Sequence, residues 1–405
     1  MSALILYNMD VLEGLSKIES NIVDCIVTSP PYYGLRDYGI GTATIWDAKE
    51  GCQHEWQPQK VGLQHENRNN ITGTQGEAHK ATNVAFINKY DKQNASFCSL
   101  CSAWKGQLGL EPDYKDYLLH MLQVTAELKR VLKPTGTLWW NHGQTYAGNK
   151  QGKTDKKVSD YVRDSQDGLR KTSQPGMQDK CLMQLPERLS IMMVDEQNWV
   201  LRNDICWWKP NHMPSSVKDR LGNAWEHIYL FVKQRKYYFN LDAIRVPVQV
   251  QVQSFNQRVR DAQKGRLQAK YGNRYKATWQ EIANYAEKHY KTKMEAALAR
   301  QGSYEDPLHT KPLNPAGKNP GDVWMITTKP YKEAHFATFP EALPERAIKA
   351  GCPEEGTVLD PFAGSGTTLM VALKLNRNAI GIEIKPEYCD LIKKRCAPYV
   401  RQMKI

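Results

Sequence analysis

Ser29-Pro30-Pro31-Tyr32 is a stretch whose residue types suggest chemistry. It follows Val23 to Val27, a short apolar run of the kind that forms a buried strand. Proline cannot continue a central strand, so the tetrapeptide belongs to a loop at the strand's carboxyl end. In open α/β sheets that edge is where ligands bind. The Ser29 hydroxyl and the Pro30 carbonyl are acceptors, held in place by rigid prolines. Tyr32 supplies a face for stacking a flipped-out base. An exocyclic amino group on a base is a poor nucleophile, because its lone pair is delocalised into the ring. Acceptors that bind both amino hydrogens favour a more tetrahedral nitrogen, with the pair free for a methyl group. No strong base is needed, because the nitrogen becomes acidic only once methylated. Four residues make a short motif, and a plain turn is the alternative reading. Methylation at cytosine C5 would instead need a cysteine nucleophile. The chain has no Pro-Cys dipeptide to carry one.

A second stretch, Asp360-Pro361-Phe362-Ala363-Gly364-Ser365-Gly366-Thr367-Thr368, follows a strand and opens a helix. Glycines there let the backbone approach a ligand. A P-loop requires lysine after the last glycine, and Thr367 stands there instead. A dinucleotide fingerprint wants a third glycine at position 369, which is leucine. What remains is a nucleoside cofactor without a pyrophosphate, S-adenosylmethionine. Glu383 ends the next strand, where a carboxylate can accept both ribose hydroxyls. The bland alternative is a tight turn capped by Asp360.

Cys52, His54, Cys98 and Cys101 form a third set, with 43 residues between its two pairs. Zinc takes four such ligands tetrahedrally, and a closed four-ligand site is structural. Methyl transfer from a sulfonium requires no metal. The alternative is four unrelated loop residues. The remaining cysteines, among them Cys181 and Cys206, lie on apolar stretches and read as packing residues.

These stretches need a framework. Leu4–Tyr7, Val23–Val27, Thr137–Trp140, Val200–Trp208, Ile228–Val232, Thr357–Leu359 and Ala379–Ile382 read as strands. Tyr114–Val131, Leu185–Trp199, 279–300, 341–350, Thr367–Leu375 and Pro386–Tyr399 read as helices. Lys133-Pro134-Thr135-Gly136 stops the first of these helices. The pattern is an α/β fold with a Rossmann-like sheet. It divides into a catalytic part over 1–39, a polar insertion with the metal ligands over 40–108, and a continuation over 109–245. A mobile loop is expected at 148–180. Residues 246–311 carry 12 Lys and Arg against 6 Asp and Glu, with Tyr271, Tyr275, Trp279, Tyr285 and Tyr290 interleaved. That composition suits phosphate contacts, although a solvated basic helix would share it. The catalytic part returns over 312–405.

Composition agrees. The chain has 55 Lys and Arg against 43 Asp and Glu, a net charge of +12. An anionic partner, nucleic acid first, follows from that excess. At 41% hydrophobic and 24% charged it is globular rather than disordered. No apolar run reaches the roughly 18–20 residues that span a bilayer. The run Leu4-Ile5-Leu6 is too short for a signal-peptide core and has no basic segment before it, so a cytoplasmic location without membrane is expected.

Together Thr28–Tyr32 and Asp360–Thr368 resemble the amino-methylating DNA methyltransferases, specific for cytosine N4 or adenine N6. The catalytic motif precedes the cofactor motif, an order similar to the circularly permuted beta group. Further matching stretches are Tyr33-Gly34-Leu35-Arg36-Asp37-Tyr38, Trp208-Lys209-Pro210-Asn211, Lys318–Trp324 and His335–Pro340. The resemblance covers about residues 1–240 and 311–400, and its motifs are specific jointly rather than singly. It implies that Ser29, Pro30, Pro31 and Tyr32 hold the target base. It implies that Asp360, Phe362, Ala363, Gly364, Ser365, Gly366 and Thr367 line the cofactor and that Glu383 takes its ribose. Asp10 falls near the cofactor adenine, and Phe336, Ala337 and Thr338 in a further cofactor-contacting stretch. Arg36, Lys209, Asn211 and Arg220 fall on the side facing double-stranded DNA. One departure is Asn141-His142-Gly143-Gln144, where relatives often carry aspartate at the last position. Serine at position 29 tilts the expected target to cytosine N4, with adenine N6 as the alternative. RNA or protein-amide methylation, or a non-catalytic zinc-stabilised DNA-binding protein, are further alternatives. Oligomeric state is not set by the sequence, and a homodimer stays open.

Overall fold

The computed structural model of the chain describes residues 2–34, 43–58, 96–148, 174, 176–247, 314, 316–328, 340–400 and 402–404. It begins with β1 (Ala3–Tyr7), α1 (Val11–Ser16) and β2 (Val23–Thr28). Every β2 residue is buried, as expected of a strand covered on both faces. The Asp10 carboxylate accepts from the backbone N–H groups of Leu12 and Glu13 and caps α1.

Four short strands follow: β3 (Thr44–Trp46), β4 (Trp56–Pro58), β5 (Ser96–Cys98) and β6 (Trp104–Gly106). They pair antiparallel in the order β3-β6-β5-β4. The sequence shows no strand pattern here, because three residues are too few to show a period of two. This small sheet is tied to α2 (Tyr114–Val131) through His120. The imidazole stacks on Trp46 and Trp104, with centroids 4.6 and 5.5 Å away, and bonds Asp47 and buried Glu111.

The helix α2 has the bounds its apolar spacing predicts, and β7 (Leu132–His142) follows without a gap. Lys133-Pro134-Thr135-Gly136 therefore ends the helix but also lies within a strand. Pro134 is tolerated because the β2–β7 register shifts there, between the pairs Val23–Leu132 and Cys25–Thr137. Next come α3 (Leu185–Gln197), β8 (Val200–Trp208), β9 (Trp225–Val232) and β10 (Val323–Met325). The chain continues with α4 (Ala342–Gly351), β11 (Thr357–Asp360), α5 (Thr367–Lys374) and β12 (Asn378–Ile382). It closes with α6 (Pro386–Cys396) and β13 (Gln402–Lys404). A 3-10 turn at Ala397–Tyr399 replaces the expected last turn of α6, where Pro398 removes a donor.

The large strands form one mixed α/β sheet in the order β10-β8-β9-β7-β2-β11-β12-β1-β13. From β7 to β13 all neighbours are parallel. Strand β9 runs antiparallel to β7 and β8. Among the described residues, no helix is long and apolar enough to cross a membrane. Cys25, Cys352, Cys389 and Cys396 are buried packing residues as expected, but Cys181 is exposed and Cys206 half-buried.

The chain divides into two compact units, residues 1–239 with 322–405, and Asn240–Gly321. In the second, Val246 pairs with Lys318 and Arg245 donates to the Gly317 carbonyl at 3.0 Å. Almost all of the basic stretch 246–311, including the helix expected at 279–300, lies outside the described residues. Most of the loop expected at 148–180 does too.

Asp24 fastens the centre of the sheet. Buried on β2, it accepts from Lys133 Nζ at 2.8 and 2.9 Å and from the Thr357 N–H at 2.9 Å. Replacing Asp24 by alanine leaves the Thr357 donor without its partner. Urea unfolding should show a loss of about 1–3 kcal/mol; an unchanged midpoint would remove Asp24 from the list of fastenings.

Candidate active site

Four adjacent parallel strands, β2, β11, β12 and β1, deliver the motif residues to one edge of the sheet. Their carboxyl ends lead into Ser29–Tyr32, Asp360–Gly366, Glu383 and Asp10 respectively. Parallel strands share a polarity, so chemistry placed after each strand converges on one side.

Asp360 is 1% exposed. Its Oδ1 accepts from Thr28 Oγ1 at 2.7 Å and from the Phe362 N–H at 3.1 Å. Burial pushes its carboxyl up to about 6. The loop beyond turns through Gly364 and Gly366, at φ +52° and +78°. At Gly366 a side chain would also strike Ile392, 2.8 Å from its Cβ position. Glycine is needed there on both counts. Glu383 closes the loop from the other side. Its Oε2 accepts from the Gly364 N–H at 2.8 Å, and its Oε1 from the Lys385 N–H at 3.0 Å. Burial raises Glu383 to about 7. Asn8 Nδ2 donates to the Glu383 carbonyl at 2.9 Å, so the ends of β1 and β12 are bonded together. Arg395 of α6 donates to Ser365 Oγ at 2.9 Å and to Thr367 Oγ1 at 3.3 Å, which ties α6 to the loop.

Pro30 is buried, while Ser29, Pro31 and Tyr32 are half-buried. The Ser29 hydroxyl donates to Tyr32 Oη at 3.0 Å. Tyr32 Oη lies 3.1 Å from both Asn141 Oδ1 and Glu226 Oε2. Burial and the neighbouring Glu226 carboxylate push the Tyr32 phenol well above its ordinary value, so it stays neutral. One side of the ring leans on His142, with centroids 5.2 Å apart. Gly143 makes room for it: a Cβ at position 143 would lie 2.7 Å from Tyr32 Cε2. The Pro31 carbonyl accepts from Tyr117 Oη at 2.9 Å, and Tyr117 in turn meets His142 Nε2 at 3.1 Å. Burial drives His142 down to about 3, so that imidazole is neutral.

Tyr117, His142 and Glu226 were not singled out by sequence. Their signal is weak, since each sits inside an ordinary helix or strand. Gln144, at the position where relatives often carry a carboxylate, bonds Glu187 Oε1 at 2.5 Å and His227 Nε2 at 3.2 Å. Burial would lower His227, but hydrogen bonds to Asp204 and Glu187 outweigh it and hold the imidazole up to about 9. A charge absent at position 144 is thus present next to it, on α3.

The four metal-ligand candidates come together although 43 residues separate the pairs. Their donor atoms all lie within 4.8 Å of one another. Cys52 and Cys98 sulfurs are 3.8 Å apart, and Cys101 Sγ is 3.3 Å from His54 Nδ1. Sulfur ligands at about 2.3 Å from a tetrahedral zinc would be about 3.8 Å apart. A disulfide would need about 2.05 Å.

The DNA-facing candidates have partners within the protein. Lys209 pairs with Glu226. Asn211 holds the backbone of Thr328. Arg220 lies 3.9 Å over the Tyr146 ring. Arg36, Phe336, Ala337 and Thr338 lie outside the described residues.

The chain was compared with known proteins. It is 28% identical to the Type II methyltransferase M.SmaI of Serratia marcescens over 386 residues, covering 95% of this chain and 88% of that protein. It is 29% identical to the Type II methyltransferase M.XycI of Xanthomonas campestris pv. cyanopsidis over 392 residues, covering 96% and 86%. Among solved structures, PvuII DNA methyltransferase (cytosine-N4-specific) aligns with a TM-score of 0.47 and 15% identity, over 98% of this chain and 94% of that one. The family model N6_N4_Mtase, DNA methylase, matches residues 23–394, which span both the Ser29–Tyr32 loop and the Asp360–Thr368 loop. On that match the chain belongs to the N6_N4_Mtase family of DNA methylases.

Proposed function

We propose that this DNA methylase transfers a methyl group from S-adenosylmethionine to cytosine N4 of a flipped-out base in double-stranded DNA. The observation that carries the reading is the Thr28–Asp360 hydrogen bond, which sets the amine-binding loop beside the cofactor loop. The residues present fit the cofactor. Each Glu383 oxygen, after accepting one backbone N–H, keeps lone pairs for a ribose hydroxyl. The positive-φ glycines Gly364 and Gly366 would let backbone approach a ligand closely. When bound, the cofactor supplies an electrophilic methyl group. Asp360, Phe362, Ala363, Gly364, Ser365, Gly366 and Thr367 would hold its methionine side, with Asp10, Phe336, Ala337 and Thr338 nearby. Ser29, Pro30, Pro31 and Tyr32 would hold the amine and base. The serine at position 29 favours cytosine, and adenine N6 is the second reading, since the same acceptors suit its amine. Catalytic loop before cofactor loop is a circularly permuted order. Residues 246–311, with Arg36, Lys209, Asn211 and Arg220, would face DNA. A cytoplasmic restriction-modification setting fits this role.

The Cys52, His54, Cys98 and Cys101 cluster would hold a structural zinc, since four donors close the coordination shell and leave no site for substrate.

Nucleoside mass spectrometry of DNA from an unmethylated bacterial host expressing the protein tests the reaction. N4-methylcytosine is expected. N6-methyladenine would overturn the base alone, and neither product would reopen the substrate. Cofactor affinity should also depend on pH in a known direction. Ribose hydroxyls need the ionised Glu383, whose carboxyl is held up to about 7. Below that pH binding must release a proton, so affinity should weaken toward about tenfold per unit. Calorimetry should show this slope in the wild type and its loss in Glu383→Gln; a flat wild-type profile would sink the ribose assignment. Finally, elemental analysis should find about one zinc per chain, and chelation should lower the melting temperature. Protein purified without chelator and lacking zinc would refute the site.

A further inference from the structure

Two of the polar contacts at Tyr32, from Ser29 and to Glu226, form a continuous path with a direction. The Ser29 hydroxyl donates to Tyr32 Oη at 3.0 Å, which commits its only hydrogen. The free lone pairs of Ser29 are then left as acceptors. Tyr32 Oη has one hydrogen and two neighbours at 3.1 Å, Asn141 Oδ1 and Glu226 Oε2. Asn141 is fixed by its own amide, which donates to the His227 carbonyl at 2.9 Å and to Glu226 Oε2 at 3.2 Å. A carboxylate is the stronger acceptor, so the phenolic hydrogen points to Glu226. Lys209 bonds the other oxygen of Glu226 and holds the carboxylate in place. The Glu226 side chain is 20% exposed, enough to exchange protons with water.

We propose that Glu226 is a positioning residue for the transfer. Through Tyr32 it holds Ser29 as an acceptor, and it receives the proton that the methylated amine must lose. This rests on the amino-methylation reading above. In the step, the amine lone pair forms the bond to the methyl carbon. The carbon–sulfur bond breaks and its electron pair stays on sulfur. The nitrogen then carries a positive charge and two hydrogens. One proton passes to Ser29 Oγ, the Ser29 proton to Tyr32 Oη, and the Tyr32 proton to Glu226 Oε2. The products are a neutral methylated amine, a neutral thioether and a protonated Glu226, which returns its proton to water. A carboxylate suffices as the terminal acceptor because the amine is strongly acidic only after methylation. Glu187 and Asp204 bond the His227 ring, whose link toward Tyr32 passes through its backbone carbonyl and the Asn141 amide and so offers no acidic hydrogen to relay.

The test uses the full chain and unmethylated plasmid DNA. Wild-type turnover is measured first. An inactive wild type overturns amino methylation and the proton path together. In Glu226→Gln, kcat should fall about a hundredfold. The KM for DNA and the cofactor Kd should stay within about threefold, and Glu226→Asp should restore part of kcat. Tyr32→Phe keeps the ring and removes the relay, so its loss should be similar. The double variant should be no slower than either single one, because both cut one path. Wild-type-like kcat in Glu226→Gln, or losses that multiply in the double variant, would overturn the proposal. Should Glu226→Gln fail to bind cofactor, Tyr32→Phe decides: a loss of about a hundredfold supports the path and full activity overturns it.

Discussion

The hydrogen bond from Thr28 to Asp360 joins residues 332 positions apart, and the rest of the site depends on it. It lies where β2 and β11 pair in parallel and their ends release two loops on the same side. Buried between those strands, the Asp360 carboxyl is held up to about 6, and two donors on Oδ1 offset the cost of burying it. The same atom that anchors the Ser29–Tyr32 loop thus also starts the Asp360–Gly366 loop, through the Phe362 N–H. A methyl transfer needs donor and acceptor in contact and in line, and a shared atom at the root of both loops is a direct way to fix that distance.

Much of this was legible in the sequence because the motif residues lie where periodicity changes to proline or glycine. Pro30, Pro31, Gly364 and Gly366 mark loops unmistakably, and the flanking apolar runs identify the strands that feed them. The helix α2 was readable to the residue from its apolar stripe. The small sheet over β3 to β6 was not, since its strands are three residues long and its order comes from a side-chain cluster and from His120. Nor was the polar surround of Tyr32. Asn141 and His142 end β7 and Glu226 lies near the start of β9, each close to a tryptophan in sequence, and only the antiparallel pairing of the two strands reveals that they meet. Cysteine and histidine identity, by contrast, linked Cys52, His54, Cys98 and Cys101 across a long gap, because few other residue types suit a soft cation.

The charge arrangement around the site is built from neighbouring elements rather than from one motif. Glu187 arrives from α3, Asp204 from β8 and Glu226 from β9, while Gln144 on the loop after β7 is neutral. His227 held charged between two carboxylates and His142 held neutral by burial sit on adjacent antiparallel strands, paired with each other. Like charges in contact would repel, so one of the pair giving up its proton lets both imidazoles be buried side by side. The Tyr32 loop rests on the neutral member.

The strand order has a consequence for the timing of assembly. Among the described residues β1 pairs with β12 and β13 alone, and β2, though it can meet β7 earlier, has β11 as its other neighbour, so β1 and one edge of β2 wait for partners made near the other end of the chain. On the ribosome, β1 emerges early yet stays without its ladder until some 370 residues later. Loop closure over that span is entropically costly, and unpaired apolar strand edges invite association with other chains. The fold therefore delays the meeting of its two motif loops until nearly all of it has been synthesised, and a shortened chain ending before β11 would hold the Ser29–Tyr32 loop but nothing to set it against.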